Sequence, residues 1–254
     1  MNRTKRPEAP YKAAHAARLI ARATLKGALA TNRKAAKGTK QNHPYVSKVG
    51  VAVDFDGAPL FLFSTLAAHT QDLLADERAS VLLEAPTSAV NPLEGARCSL
   101  IGRVQQLSGD KADLARALYL IRHPGAAMYA GFGDFSMWRM QVEKVHYVGG
   151  FGRAKWAKAK DYLLSCPNLT KTSGRIVEDL THKWAEDLSL VFKAKTGRSA
   201  RGWKVLAIDG DGLILSGSKG AQQRLDFASP ARDGRGWRTR FRTLVKCAKT
   251  TTKS

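Results

Sequence analysis

Residues 44–64 read PYVSKVGVAVDFDGAPLFLFS, and this stretch constrains the fold more than any other. Tyr45, Ser47, Val49, Val51 and Val53 fall on one face of an alternating run, the period of a half-buried strand. Asp56-Gly57 follows, a pair suited to the positive backbone angles of a tight hairpin, and Pro59–Ser64 returns as an apolar strand. Strands joined by so short a turn pair antiparallel, because a parallel partner needs a crossover of a dozen or more residues.

The rest of the chain extends this pattern. An amphipathic helix over 13–23 carries Ala16, Leu19, Ile20 and Ala23 in one stripe, with Arg18 and Arg22 on another side. A short strand at 27–31 precedes a basic loop at 32–41, and a short helix is expected over 66–75. Strands follow at 79–85, 97–107 and 136–148, with a helix over 111–121; the last strand stops at Gly149-Gly150. About six strands with short helices inserted favour an antiparallel barrel over a doubly wound parallel sheet. After Phe151 the composition changes. Residues 154–160 read as a basic helical connector and 165–174 as a linker. Beyond them Ile176, Leu180, Trp184, Leu188 and Val191 form a helical stripe, strands fall within 203–215 and 224–228, and a basic amphipathic helix covers 237–248. The fold class is α+β, an antiparallel barrel followed by a small α+β module. The expected division is a basic flexible N-terminus at 1–12, the barrel at 13–164, a linker at 165–174, the module at 175–250 and a tail at 251–254.

Net charge is +21, but its distribution matters more than its size. Residues 1–40 carry 11 basic and 1 acidic side chains, 41–150 carry 9 and 11, and 151–254 carry 22 and 9. A nucleic-acid groove would place the excess on the central unit, whereas here the flanks are basic; a solvated basic surface explains them as well. No run approaches the roughly 18 apolar residues of a membrane span, and the N-terminus lacks a secretory h-region. Cys98, Cys166 and Cys247 are odd in number and far apart, which points to a reducing, cytoplasmic setting. The histidines His15, His43, His69, His123, His146 and His182 show no zinc spacing, and no Gly-x-Ser-x-Gly elbow occurs.

Several motifs then line up in order: ARLIARATLKGALAT at 17–31, PYVSKVGVAVDFDGAPLFLFSTLAAHTQDLLADERASVLL at 44–83, HPGAAMYAGFGDFSMWRMQVEKVHYVGGFGRA at 123–154, and IDGDG with RLDF at 208–212 and 224–227. Together they resemble the pyridoxamine 5′-phosphate oxidase-like split-barrel superfamily, and within it the haem-utilisation subgroup, in which such a barrel is joined to a small α+β module. The resemblance implies a split barrel of the FMN-binding type. It also implies a homodimer that holds FMN, or in some members haem, near the subunit interface, with a small-molecule substrate. Two departures limit what carries over. The subgroup's His-Met-Asn-x-Asp-His pattern is replaced by DLTHKW at 179–184, and the Arg-Leu-x-Pro segment of true pyridoxamine phosphate oxidases is missing from FRTLVKCAKTTTKS.

On this resemblance, Ser64 and Thr65 at the end of an apolar strand, with His69 and Thr70 on the next helix, become candidates to gather a phosphate or propionate at a helix N-terminus. The plainer reading has Ser64 and Thr65 capping that helix, with His69 on its surface. Arg97 can pair bidentately with an anion or be an ordinary strand-edge charge. Gly150, Phe151, Gly152 and Arg153 offer close backbone approach, a ring and a cation, or only a turn out of the barrel; Arg139 is a weaker candidate of the same kind. The leading reading is an FMN-binding oxidoreductase that does not oxidise pyridoxamine phosphate itself, with no assignable general acid or base. The alternatives are a haem-binding or haem-degrading protein, and a non-catalytic protein whose basic flanks contact nucleic acid or an acidic partner.

Overall fold

A computed structural model describes residues 10–33, 43–87, 90–150 and 152–251. The chain divides into two compact units, Met1–Leu163 and Leu164–Ser254.

The first unit contains α1 (Pro10–Ala23), β1 (Lys26–Arg33), β2 (His43–Gly50), β3 (Ala52–Val53), β4 (Pro59–Ser64), α2 (Ala68–Ala75), β5 (Arg78–Glu84), β6 (Arg97–Gln106), α3 (Gly109–Arg122), β7 (Phe135–Val148), β8 (Ala154–Lys158) and α4 (Ala159–Tyr162). Its antiparallel sheet runs β2-β1-β5-β6-β7-β4-β3, with β8 on β7. Strands β2 and β3 stand at opposite ends of that order, yet only Val51 separates them in sequence. That single residue, whose N–H bonds the Leu25 carbonyl at 2.9 Å, obliges the sheet to curl until its ends meet. The expected hairpin forms: Gly57 adopts φ +102°, and Asp54 and Ala58 close the turn.

Strand β4 is buried on both faces, which is why it reads as a continuous apolar run. Phe61 and Phe63 face the barrel interior with Val81, Leu83, Leu100 and Met140, while Leu60 and Leu62 pack outward against Ala115 and Tyr119 of α3. Each buried side chain of this size contributes about 1.5–3 kcal/mol. Helix α1 enters the interior cluster through Ala14, Ala17 and Ile20. The arginines set on another side from the apolar stripe are themselves buried: Arg18 at 1% and Arg22 at 3% exposure. Arg18 donates to the Tyr162 carbonyl, and Arg22 donates to Asp54 O at 3.2 Å and Phe55 O at 2.7 Å. Those carbonyls come from distant loops, so no local pattern announces them.

Two further expectations are corrected. Residues 154–158 are strand β8 rather than a helical connector, with only the short α4 helical beyond them. Of the five strand residues only Ala157 is buried, so the inward face is too thin to read as a strand. Residues 165–174 are not a linker but largely the first turns of a helix, α5 (Pro167–Thr181). Pro167 occupies the helix's first turn, where its missing N–H costs nothing, Leu169 is fully buried, and the Thr172 and Ser173 hydroxyls bond back to helix carbonyls. The basic loop expected at 32–41 lies outside the described residues from 34 onward; Asn32 and Arg33 belong to β1.

The second unit contains α5, α6 (Ala185–Thr196), β9 (Lys204–Asp209), β10 (Gly212–Ser216), β11 (Gln222–Asp226) and α7 (Gly234–Thr251), with a sheet ordered β11-β10-β9. The stripe read through 176–191 is two helices, parted at His182–Trp184. Trp237 and Phe241 of α7 stack at 5.6 Å in its core.

Candidate functional site

Barrel closure leaves a seam between β2 and β4, and a cavity of about 420 Å³ lies there. Lys48, Val49 and Gly50 line it from β2, Leu62, Phe63 and Ser64 from β4, and Ala67 and His69 from the start of α2. Tyr119 and His123, at the end of α3, complete it with Tyr129 and Phe135. A Cβ at Gly50 would meet the Tyr119 hydroxyl at 2.3 Å, so a larger residue here would have to displace that ring.

His69 is the polar group that distinguishes this cavity. Its ring stands edge-on to Phe63 at 4.4 Å, and it has no hydrogen-bond partner among the described residues. Burial lowers its pKa below the usual 6.5, against the opposing charge of Asp72, so the imidazole is neutral near pH 7. His123 stacks on Tyr119 at 4.4 Å. Its Nε2 lies 2.9 Å from the Val51 carbonyl, which can only accept, so Nε2 carries the proton and Nδ1 is the basic nitrogen. Burial, with Arg122 assisting, lowers its pKa as well, although the Val51 carbonyl opposes the shift.

The sequence candidates fall into three places. Ser64 and His69 line the seam cavity, but the Ser64 hydroxyl donates to Asp134 at 2.6 Å and accepts from Leu66 N at 3.1 Å. It does not cap α2, whose N-cap is Ala67 with no side-chain cap bond. Thr65 is exposed beside the cavity, and Thr70 turns inward, fully buried, with a hydroxyl lacking a partner.

Arg97, Gly150, Gly152 and Arg153 form a separate corner, and Phe151 lies outside the described residues. Arg97 donates to the Leu93 and Gly95 carbonyls at 3.0 and 3.3 Å. Gly150 and Gly152, at φ +106° and +70°, make the tight turn that Gly149 and Arg153 close by a 3.0 Å backbone bond. Ser64 and Arg97 sit at opposite ends of β7, since Ser64 pairs with Phe135 and Arg97 with Val148. Along β7 a full strand of 14 residues lies between them, but around the sheet Lys48 of the cavity wall is linked through Ala28 and Leu82 to Ser99, two residues from Arg97, about 15 Å at roughly 4.8 Å per strand. Arg139 belongs to neither group. It pairs with Asp54 at 3.1 Å and with Asp56, beside a different cavity of about 660 Å³ that Gln105, Gln106 and Lys111 also line.

Residue-by-residue reading missed Lys48, Tyr119 and His123 as site residues. The available signal was the i, i+4 spacing of Tyr119 and His123, which puts an aromatic and an imidazole on one side of a helix end.

A curled antiparallel barrel with a cavity at its seam, followed by a small α+β unit, defines a split-barrel protein with an appended module. The family model described as CREG, beta-barrel matches residues 7–164, and the chain belongs to that family. This bears out the resemblance to the pyridoxamine 5′-phosphate oxidase-like superfamily and its haem-utilisation subgroup. Among curated proteins, the chain is 26% identical over 219 residues to the non-canonical heme oxygenase HOZ, chloroplastic, of Arabidopsis thaliana. That alignment covers 82% of the chain but only 66% of the relative's length. Among solved structures, the heme binding protein from Mycobacterium smegmatis is 29% identical, with a TM-score of 0.56, covering 97% of this chain and 100% of the other. The protein Atu2129 (unknown function) from Agrobacterium tumefaciens shares the fold at TM-score 0.72 and 24% identity, covering 96% of this chain and 100% of the other. Among the described residues no helix is long and apolar enough to cross a membrane.

Proposed function

We propose that the chain is a haem-binding protein whose seam cavity takes the tetrapyrrole. The observation that carries this reading is His69, a neutral, half-buried imidazole without a partner, facing a cavity walled by Phe63, Tyr119, Tyr129 and Phe135. Such a nitrogen suits an iron ligand, the rings suit a flat apolar macrocycle, and Lys48 suits a propionate. Haem, when bound, supplies a redox-active iron; the chain supplies the ligand, the apolar walls and the cation. The names of the Arabidopsis and Mycobacterium relatives, a heme oxygenase and a heme binding protein, support the same reading. A homodimer belongs to it: Leu66, Met128 and Phe132, beside lining residues in sequence, are exposed large apolar side chains that a second copy would cover.

FMN is the second reading, favoured by the start of α2. Its first N–H groups lie at the cavity with no side chain capping them, a suitable seat for a phosphate. One experiment separates the two. Purified protein is titrated with haemin and, separately, with FMN, and excess ligand is removed. The haem reading expects a retained Soret band that shifts and weakens in His69→Ala, with no retained flavin absorbance. Retained flavin and no Soret band would replace haem by FMN, and a Soret band identical in His69→Ala would remove His69 as ligand.

A further inference from the structure

The second unit has a cavity of its own, about 660 Å³, well within the roughly 300–1,000 Å³ of small-molecule sites. Leu188 of α6, Leu215 of β10, Leu180 of α5, and Trp203 with Val205 beside and on β9 make its apolar lining. Small side chains leave the space open. Ala185 and Ser189 follow one another at i and i+4 on α6, and Ser199 and Ala200 face the cavity from the turn before β9. That turn is held by the Arg201 N–H on the Ser199 hydroxyl at 3.2 Å and by the Trp203 N–H on the Ala200 carbonyl at 3.0 Å. Trp203 is fixed against Phe192, with ring centroids 5.0 Å apart, and against Gly217, where any Cβ would press on its ring.

The polar lining is one-sided in charge. Arg201 and Lys204 are exposed at the cavity, and neither pairs with a carboxylate among the described residues. An aliphatic cavity with two unpaired cations beside it complements a molecule with an apolar chain and an anionic end. The segment 179–184, where the haem-utilisation pattern is replaced, contributes Leu180 and Thr181 to this wall.

We infer that the second unit binds a single-chain aliphatic carboxylate, with its chain between α6 and the β9–β10 sheet face and its carboxylate on Arg201 and Lys204. All the residues that line this site belong to the second unit. Charge-assisted contacts give the carboxylate end its share of affinity, while burial of the chain gives the larger part.

The test is calorimetric titration of the full chain with laurate below its micellar concentration, with dodecanol as the uncharged comparison. One saturable laurate site is expected. Ser189→Phe, at an exposed helix position, should fill the cavity and abolish it, and Ala185→Phe repeats the test should the first variant fold poorly. Arg201→Ala with Lys204→Ala should weaken laurate about tenfold and leave dodecanol unchanged. His69→Ala should leave laurate binding unaltered. The inference is overturned by no saturable binding, by many weak sites, by full binding in both phenylalanine variants, or by a double alanine variant that holds laurate as tightly as the parent. Binding of haemin but not laurate at this cavity also overturns it.

Discussion

Arg224 and His69 sit in different units and meet opposite treatment. Arg224, on β11, is almost entirely buried and donates to both carboxylate oxygens of Asp209 at 2.6 and 2.8 Å, and to Asp226 as well. Burial works against its charge, but Asp209 and Asp226 outweigh that and raise its pKa. His69, half-buried on α2, has neither charge nor partner. Burial raises the pKa of Asp226, with the Arg224 charge opposing, so the carboxylate there depends on that guanidinium. A polar group whose bonds are filled from within serves the fold, whereas one kept open at a cavity costs stability unless something outside completes it. The difference sets a group completed within the fold apart from one that can still take a partner at the cavity.

The largest expected effect breaks the filled cluster. Arg224→Met preserves bulk but strips the guanidinium from the buried Asp209 carboxylate, and losing one partner of such a pair costs about 3–5 kcal/mol. Urea unfolding followed by amide hydrogen exchange in peptides of the second unit should show that unit melting early, while haem retention at the seam is preserved. If that variant is as stable as the parent, the cluster is not the structural counterpart described.

His69→Ala should act the other way round. Retained haem falls about tenfold, equivalent to about 1.4 kcal/mol, and the unfolding midpoint of the ligand-free protein stays within error of the parent. A large loss of stability with unchanged haem would reverse the roles of the two sites.

Much of the barrel was legible because its information is local. The alternation of β2, the Asp56-Gly57 turn and the two-faced apolar run of β4 are each contained in a few residues. His69 was legible as a candidate for the same reason, lying just past an apolar strand. What escaped depends on distant partners. The burial of Arg18 and Arg22 escaped because the carbonyls they bond are supplied by Tyr162, Asp54 and Phe55. Strand β8 is specified by β7, in pairs such as Lys144 with Lys158 and His146 with Trp156. Tyr119 and His123 join His69 only because Val51 forces the sheet to close. The separation of Arg97 from Ser64 follows from the length of β7, which sequence motifs quoted in order do not convey.

Acid should sharpen the contrast at smaller amplitude. Both cavity histidines have folded pKa values below 6.5, chiefly through burial, so the unfolded chain takes up protons first as pH falls. Their contribution to stability is therefore present above pH 6.5 and lost as pH drops through the lowered folded values. The charged or titratable groups around them are Asp72 on α2, Lys48 on β2, Tyr119 and Arg122 on α3, Tyr129, and Asp134 on the Ser64 hydroxyl; Asp72 favours a proton on His69. Soret amplitude recorded from about pH 8 to about pH 5 should hold steady and then fall in the lower part of that range, where neutral imidazole is lost. His69→Ala should flatten the fall. An unchanged profile in that variant would assign the acid sensitivity to another group.

The smallest effect tests the distance between cavity and corner. Arg97 satisfies two backbone carbonyls at its own end of the sheet, which resembles the self-contained bonding of Arg224 more than the open bonding of His69. Arg97→Ala should therefore cost no more than about 1 kcal/mol of stability and alter haem retention by less than about twofold, well under a 1.4 kcal/mol tenfold step. A loss of haem as great as that in His69→Ala would mean that Arg97 reaches the ligand after all. Arg97 would then reach the ligand either around its own barrel, where Ser99 lies three strands from Lys48 through Leu82 and Ala28, or from a second copy of the chain. Mixing Arg97→Ala protein with His69→Ala protein decides the matter: shared sites recover retention in part of the mixed dimers, whereas sites built from one chain recover none.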